Sequence, residues 1–371
     1  MRTPHYAVII AGGHGTRFWP LSRSRRPKQL LKILSHKSLI QETAGRIAPI
    51  IKPENTLVVT VADHFQGIRQ ELKTLPKNNF LIEPAGKNTA PCIGLAAIEL
   101  VARNSNAIMT ILPADHWVSD VTSFRRTLKA AVRLVRRHDA LVTIGIPPSY
   151  PETGYGYILR GNKINGFSGA STYKVKAFHE KPSMQKAGQL IRSGALWNSG
   201  IFVWKASTIL ALLRRFCPPL FHSLQRISRA AQGASLGSAH SNLASLLRNE
   251  YKKMASQSID YAVLEPAGLE GRVLTLKADF AWSDVGNWAA VHRLLPHDNE
   301  RNAAVGRWLG IGSEGCLIYS PHRLVALLGI RDAVIVDTPD ALLVGDIKRA
   351  QEVRELVEKL KRSGYGRYTV K

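Results

Sequence analysis

At 371 residues, 45% hydrophobic and 21% charged, the chain has the balance of a globular protein with a large core and two domains. No apolar run nears the ~18 residues of a membrane span, residues 7–11 are too short for a signal-peptide core, and three scattered cysteines argue against a disulfide framework or structural zinc, which makes a reducing cytoplasm the simplest setting. The net charge of +24 is spread over residues 23–37, 125–137, 214–215, 252–253 and the tail from Lys359 without interleaved stacking aromatics, so it predicts loose attraction to polyanions and no specific nucleic-acid ligand.

The chain opens with an apolar strand, residues 7–11, that runs into Ala11-Gly12-Gly13-His14-Gly15-Thr16-Arg17 and then Pro27-Lys28-Gln29. Three glycines in four positions let a ligand approach the backbone, and exposed N–H groups suit an anion. Arg17 and Lys28 add two cations, so the segment is expected to handle phosphate. Its spacing fits neither the Walker A pattern nor the dinucleotide fingerprint.

Further strands are predicted at residues 56–61, 80–83, 107–112 and 140–146. Helical patterns lie between them at 38–51, 63–75, 88–103 and 123–138. Short apolar strands alternating with helices predict βαβ units and a mostly parallel sheet covered on both faces. Ligands bind at the carboxyl ends of the strands in such sheets. Glu83-Pro84-Ala85-Gly86-Lys87-Asn88-Thr89-Ala90-Pro91 follows the third strand and Pro113-Ala114-Asp115-His116 the fourth, so both join the glycine loop along one rim. Asn88 or Thr89 can cap a helix whose N-terminal N–H groups face that loop. Asp115 suits either a turn cap or a Mg²⁺ ligand completed by phosphate oxygens. His116 has no companion at ligand spacing and reads as structural.

The middle of the chain carries a glycine turn, Glu152-Thr153-Gly154-Tyr155-Gly156-Tyr157, suited to a hydroxyl-rich ligand. Glu180-Lys181 ends a strand; the pair fits sugar hydroxyls and a phosphate, or simply a surface ion pair. Asn198, within the strand-like run 197–204, requires a hydrogen-bond partner if buried. Asp284, between Trp282 and Trp288, reads from its local pattern as a helix cap. Beyond residue 300, short apolar segments at 316–319, 324–328 and 333–336 are split by turns, and a closing helix is predicted at 349–360.

Taken together, the glycine loop with Pro27-Lys28-Gln29, the segments 83–91, 112–116, 153–158, 180–182, 197–202, Asp260-Tyr261-Ala262-Val263-Leu264-Glu265 and 282–288 resemble, in order, the mannose-1-phosphate guanylyltransferases of the sugar-nucleotide pyrophosphorylase superfamily. The resemblance implies a Rossmann-like α/β nucleotidyltransferase domain (GT-A-like) over residues 1–298, with a mixed, mostly parallel sheet. It implies a small β-helix-like segment with a closing helix over 299–371, and a single activity without the isomerase domain of longer relatives. It also implies transfer of GMP from GTP to mannose 1-phosphate. In that reading Gly12, Gly13 and Gly15 admit the nucleotide, Arg17 and Lys28 grip its phosphates, and Glu83, Asn88, Thr89 and Ala90 lie beside the base. Asp115 and Asp284 share Mg²⁺; Gly154, Glu180 and Asn198 face the sugar, and Lys181 its phosphate. The C-terminal segment admits a homodimer. Lys87 stands where the family usually carries Arg, which bears on guanine selectivity. A same-fold enzyme for another sugar or nucleotide, and a noncatalytic binding subunit, are the alternatives.

Overall fold

The computed structural model describes residues 3–13, 15–165, 170–231, 235–238 and 241–370; His14 of the glycine run lies outside them. Among the described residues, nine strands form the main sheet: β1 His5–Ala11, β2 Thr56–Val61, β3 Phe80–Glu83, β4 Ile108–Pro113, β5 Leu141–Ile146, β6 Gly156–Ile164, β7 Thr172–Glu180, β8 Leu196–Lys205 and β9 Val273–Lys277. Their order is β3-β2-β1-β4-β8-β5-β9-β7-β6. β1, β2, β3 and β4 pair in parallel, as do β5 and β9, whereas β8 is antiparallel to β4 and β5, and β7 to β9 and β6. Seven strands therefore share one direction and β7 and β8 oppose it, which is the mixed, mostly parallel sheet expected.

The strands form where short Val/Ile/Leu runs are buried on both faces. All six residues of β2 and of β5 are buried, the mark of a sheet covered by helices on both sides. One covering helix, Thr89–Arg103, packs against the sheet through Ile93, Leu95, Ala96 and Leu100. Another, Val121–Arg137, buries Phe124, Leu128, Ala131 and Val135 and leaves Arg125, Lys129 and Arg133 outward or at its edge. Asp120 caps it by accepting from the backbone N–H groups of Thr122 and Ser123. The predicted helices are present with shifted ends; that predicted over 38–51 spans Leu39–Ile47 and opens on a Ser38–Gln41 capping box.

A second, four-stranded sheet comprises β10 Ala303–Ile311, β11 Leu317–Leu328, β12 Ala333–Asp337 and β13 Leu342–Asp346. β10, β11 and β12 stack in parallel and β13 returns antiparallel. The two segments expected at 316–319 and 324–328 are thus one continuous strand. A 3-10 turn, Ile347–Glu352, leads into the closing helix Val353–Arg362.

This C-terminal unit is bolted to the segment that follows β1. Val334, Val336, Leu343, Val353 and Val357 share one core cluster with Phe18, Trp19, Leu31 and Trp288. Trp19 Nε1 donates to the Tyr368 carbonyl (2.9 Å), Trp288 Nε1 donates to the Trp19 carbonyl (3.1 Å), and the Ser24 N–H donates to the Thr369 carbonyl (3.1 Å). Arg23, buried with its side chain 6% exposed, pairs with Asp340 at 2.8 Å. Burial lowers the Arg23 pKa, and Asp340 opposes that shift. Removing Asp340 strands a buried cation, while its own partial exposure limits the loss. Asp340→Ala is therefore expected to cost about 1–3 kcal/mol of stability, measured by denaturant unfolding.

Candidate functional site

The glycine run starts where β1 ends, and two side chains fix that end. Gln29 Nε2 and Thr60 Oγ1 both donate to the Ala11 carbonyl at 2.9 Å. Gly15 holds φ +63°, and a Cβ there would lie 2.2 Å from the Lys28 Cβ. Glycine is required at that position on both counts. The close approach brings the Pro27–Leu30 turn against the loop and aims Lys28 inward.

Lys28 is buried, and its ammonium sits 2.7 Å from Asp115 Oδ2 while donating to the Asp284 backbone carbonyl. Desolvation acts to raise the Asp115 carboxyl pKa; the Lys28 charge and its hydrogen bond act against it, and the net shift is downward. Asp284 does not cap the following helix. Asn287 does, accepting from the Ala290 N–H at 3.0 Å, so the Asp284 carboxylate is not taken up at that helix start. Its Oδ1 accepts from the Tyr155 hydroxyl at 2.7 Å. Burial, followed by the Asp284 charge, raises the Tyr155 pKa, so the phenol stays a donor. His116 accepts from Trp282 Nε1 at 3.1 Å and burial lowers its pKa to about 4, a neutral structural ring as expected.

Gly15, Arg17, Lys28, Asp115 and Asp284 line one cavity of about 630 Å³. Asp115 and Asp284 come from two different strand ends and offer hard carboxylate oxygens. A Cβ on Gly286 would lie 2.9 Å from Asp284 Oδ2, so the absent side chain leaves that oxygen accessible. Among the described residues there is no group of three or more His, Cys, Asp or Glu placed to hold a metal ion. The two aspartates are hard oxygen donors of the kind a divalent cation takes, and such a cation would need further oxygens to complete its shell.

The other expected residues fall into two flanking sites. Gly12 faces Glu83, whose Oε2 would be 3.7 Å from a Cβ at Gly12. Glu83 is buried and accepts from the Tyr251 hydroxyl at 3.3 Å. Asn88 adopts φ +69° and caps the helix Thr89–Arg103, its Oδ1 accepting from the Thr89 N–H at 2.8 Å. Thr89 Oγ1 accepts from the Ile259 N–H, and the Ala90 N–H donates to the Gln257 carbonyl, so residues 257–259 cover part of this helix start. Gly13 has open space around it.

On the opposite side, Glu180 and Asn198 meet over Gly156, where a Cβ would lie 2.6 Å from Glu180 Oε2 and 3.5 Å from the Asn198 Cβ. Gly154, the glycine singled out from sequence, instead donates its N–H to Glu152; Gly156 is the point of close approach. Asn198 accepts from Thr143 Oγ1 (3.2 Å) and donates to Asp260 Oδ1 (2.7 Å), the partners a half-buried amide needs. Asp260 enters from a π-turn, Asp260–Leu264. Burial and then the Glu180 charge push its pKa to about 6. Lys181 is exposed, at φ +44°, with its ammonium 3.7 Å from Glu180 Oε1. Its N–H donates to the Tyr155 carbonyl (3.2 Å), so Tyr155 joins this pocket to the aspartate cavity. Tyr155, Gly156 and Asp260 stood within quoted motifs, while Tyr251 carried no local signal at all.

Glu83 makes the clearest pH statement. Burial raises its pKa from the ordinary 4.5 to about 7, with Tyr251 pulling the other way. A carboxyl raised on folding favours the native state fully below the unfolded pKa, and that contribution is lost as pH rises through about 7. Glu83→Gln removes the titration. Its melting temperature relative to the parent chain is therefore expected to rise from pH 5 and to level off above about pH 7 in a thermal-unfolding series.

A family model described as nucleotidyl transferase matches residues 6–301, and one described as MannoseP isomerase/GMP-like beta-helix domain matches residues 306–360. The mannose-1-phosphate guanylyltransferase of Escherichia coli is 36% identical over 359 residues, 96% of this chain and 74% of that protein. The xanthan biosynthesis protein XanB of Xanthomonas campestris is 35% identical, over 96% of this chain and 73% of its own. A crystal structure described as mannose-1-phosphate geranyltransferase from Thermus thermophilus superimposes with a TM-score of 0.85 at 33% identity, covering 96% of this chain and 99% of that one. The chain therefore belongs to the nucleotidyl transferase family, among the mannose-1-phosphate guanylyltransferases.

Proposed function

We propose that this chain transfers GMP from GTP to mannose 1-phosphate, giving GDP-mannose and pyrophosphate, with Mg²⁺ as the divalent cation. The observation that carries the reading is the Lys28–Asp115–Asp284 arrangement at the rim of the glycine loop, flanked by one pocket fit for a base and another fit for a sugar. The attacking phosphate oxygen of mannose 1-phosphate is already anionic at neutral pH, so no general base is needed. The task is to bring two polyanions together and hold them in line.

Each group then has a part. Gly12, Gly13 and Gly15 let the nucleotide approach the backbone, and Arg17 and Lys28 neutralise its phosphates. Glu83, with Asn88, Thr89 and Ala90, lies along the base, where a carboxylate can accept from the amino and imino donors of guanine. Glu180 and Asn198 bond sugar hydroxyls over Gly156, beside Gly154, and Lys181 meets the sugar phosphate as a point charge. Asp115 and Asp284 would hold Mg²⁺, which supplies charge neutralisation at the reacting phosphate when bound. Lys28 fixes both aspartate-bearing turns and thereby sets their spacing.

We place the division between the nucleotidyltransferase domain and the C-terminal unit at residues 298/299. We place the reaction in the cytoplasm, where nucleoside triphosphates are made. On β10 and β11, Leu309, Ile311, Leu324 and Leu328 are exposed on one face, between 63% and 76% accessible. Such an apolar face suits a second copy of the chain. Sedimentation of the purified protein is expected to give a dimer, and Leu328→Glu a monomer.

The reaction is tested by pyrophosphate release. Release is expected only with GTP, mannose 1-phosphate and Mg²⁺ together, and Asp115→Asn is expected to lower kcat by about a hundredfold or more. Release with a different sugar phosphate or nucleotide would keep the mechanism and move the specificity. Silence with every pair would leave a noncatalytic binding subunit.

A further inference from the structure

The wall of the aspartate cavity is not made by the sheet rim alone. The closing helix Val353–Arg362 forms its far side through Arg354, Glu358 and Lys361, three positions on one helical face at i, i+4 and i+7. Val353 and Val357 on the inner edge are buried in the cluster that contains Phe18 and Trp19, and Tyr368 and Thr369 bond directly to the chain around Trp19 and Ser24. The helix is therefore held at a fixed place beside the glycine loop. Its two cations look across the cavity toward the segment that carries Arg17.

None of the residues of the sugar pocket (Gly154, Glu180, Lys181, Asn198) lines this cavity. That separation has a mechanistic meaning. In-line displacement at phosphorus sends the leaving group out opposite the attacking oxygen. With the sugar phosphate held on the Lys181 side, pyrophosphate must leave on the other side of Lys28 and the aspartates. There the walls are the glycine loop and the closing helix. A leaving group that gathers negative charge is stabilised by cations already in position.

Resting on the guanylyltransferase reading, we propose that Arg354 and Lys361 of the closing helix, together with Arg17, form the pyrophosphate subsite. Arg354 offers a planar fork that matches phosphate oxygens, and Lys361 offers a point charge. Glu358 is the one acidic group of this helix face on the cavity. It pairs with Lys361 at 2.8 Å, with both side chains about half exposed, a contact weak enough to yield to a doubly charged ligand. Burial does not trap either cation, so substitution leaves the fold intact.

The test is kinetic, in the reverse direction, with GDP-mannose, pyrophosphate and Mg²⁺. Arg354→Gln and Lys361→Gln are each expected to raise the KM for pyrophosphate about tenfold, the scale of one charged hydrogen bond. The KM for GDP-mannose should stay unchanged. Arg354→Lys should recover most of the loss, and Lys359→Gln, on the same helix but off the cavity, should behave as the parent chain. An unchanged KM for pyrophosphate, or equal rises for both substrates, would overturn the subsite. If the parent chain shows no turnover in either direction, the reaction assignment fails, and calorimetric titration of pyrophosphate with Mg²⁺ still decides the inference. Binding that Arg354→Gln weakens supports it; equal binding by parent and variant rejects it.

Discussion

The Lys28 ammonium, buried between the Asp115 carboxylate and the Asp284 backbone, is the contact on which the rest of the site depends. A buried lysine is tolerated only where its charge is met by a carboxylate and its remaining protons by oxygen acceptors. Meeting those needs ties together three stretches of chain, from residues 28, 115 and 284, that share no local structure. The glycine at position 15 exists to let Lys28 in, and the φ of +63° there follows from the same requirement. Removing negative charge from the rim would therefore do more than take away an oxygen donor. It would leave a cation in a low-dielectric position with nothing to hold it.

Around that contact the fold works as a set of fixed walls. The parallel strands β1 to β4 deliver their carboxyl ends to one edge, and the antiparallel β8 and β7 bring Asn198 and Glu180 to the neighbouring edge. Tyr155 spans the two, with its hydroxyl on Asp284 and its carbonyl on the Lys181 N–H. A change around Glu180 and Lys181 can reach Asp284 through this one residue. Little in this geometry has to move for two phosphate-bearing molecules to be placed side by side.

How much of this was legible in the sequence follows from the range of each interaction. β1 to β5 could be read because runs such as Thr56-Leu57-Val58-Val59-Thr60-Val61 carry their burial in their own composition. The insertion of β8 against β4 could not, since a buried strand looks the same in either direction. Arg17, Lys28, Asp115 and Asp284 were found as a group through motif order, and Asp284 only that way; its local pattern suggested a cap that Asn287 in fact supplies. Tyr251 meets Glu83 across 168 positions, and no periodicity records such a pairing. The closing helix displays which face is apolar but not what that face will cover.

The bonds from Tyr368, Thr369 and Asp340 back to Trp19, Ser24 and Arg23 also set the timing of maturation. The ribosome makes the glycine loop long before it makes the residues that brace it. During synthesis, β1 to β4 can pair while the loop is still unsupported, and the phosphate-handling surface acquires its final shape only once residues 340–369 have emerged. Until then Trp19, Ser24 and Arg23 lack these partners. Long-range contacts of this kind also slow the closing step of folding relative to the local helices.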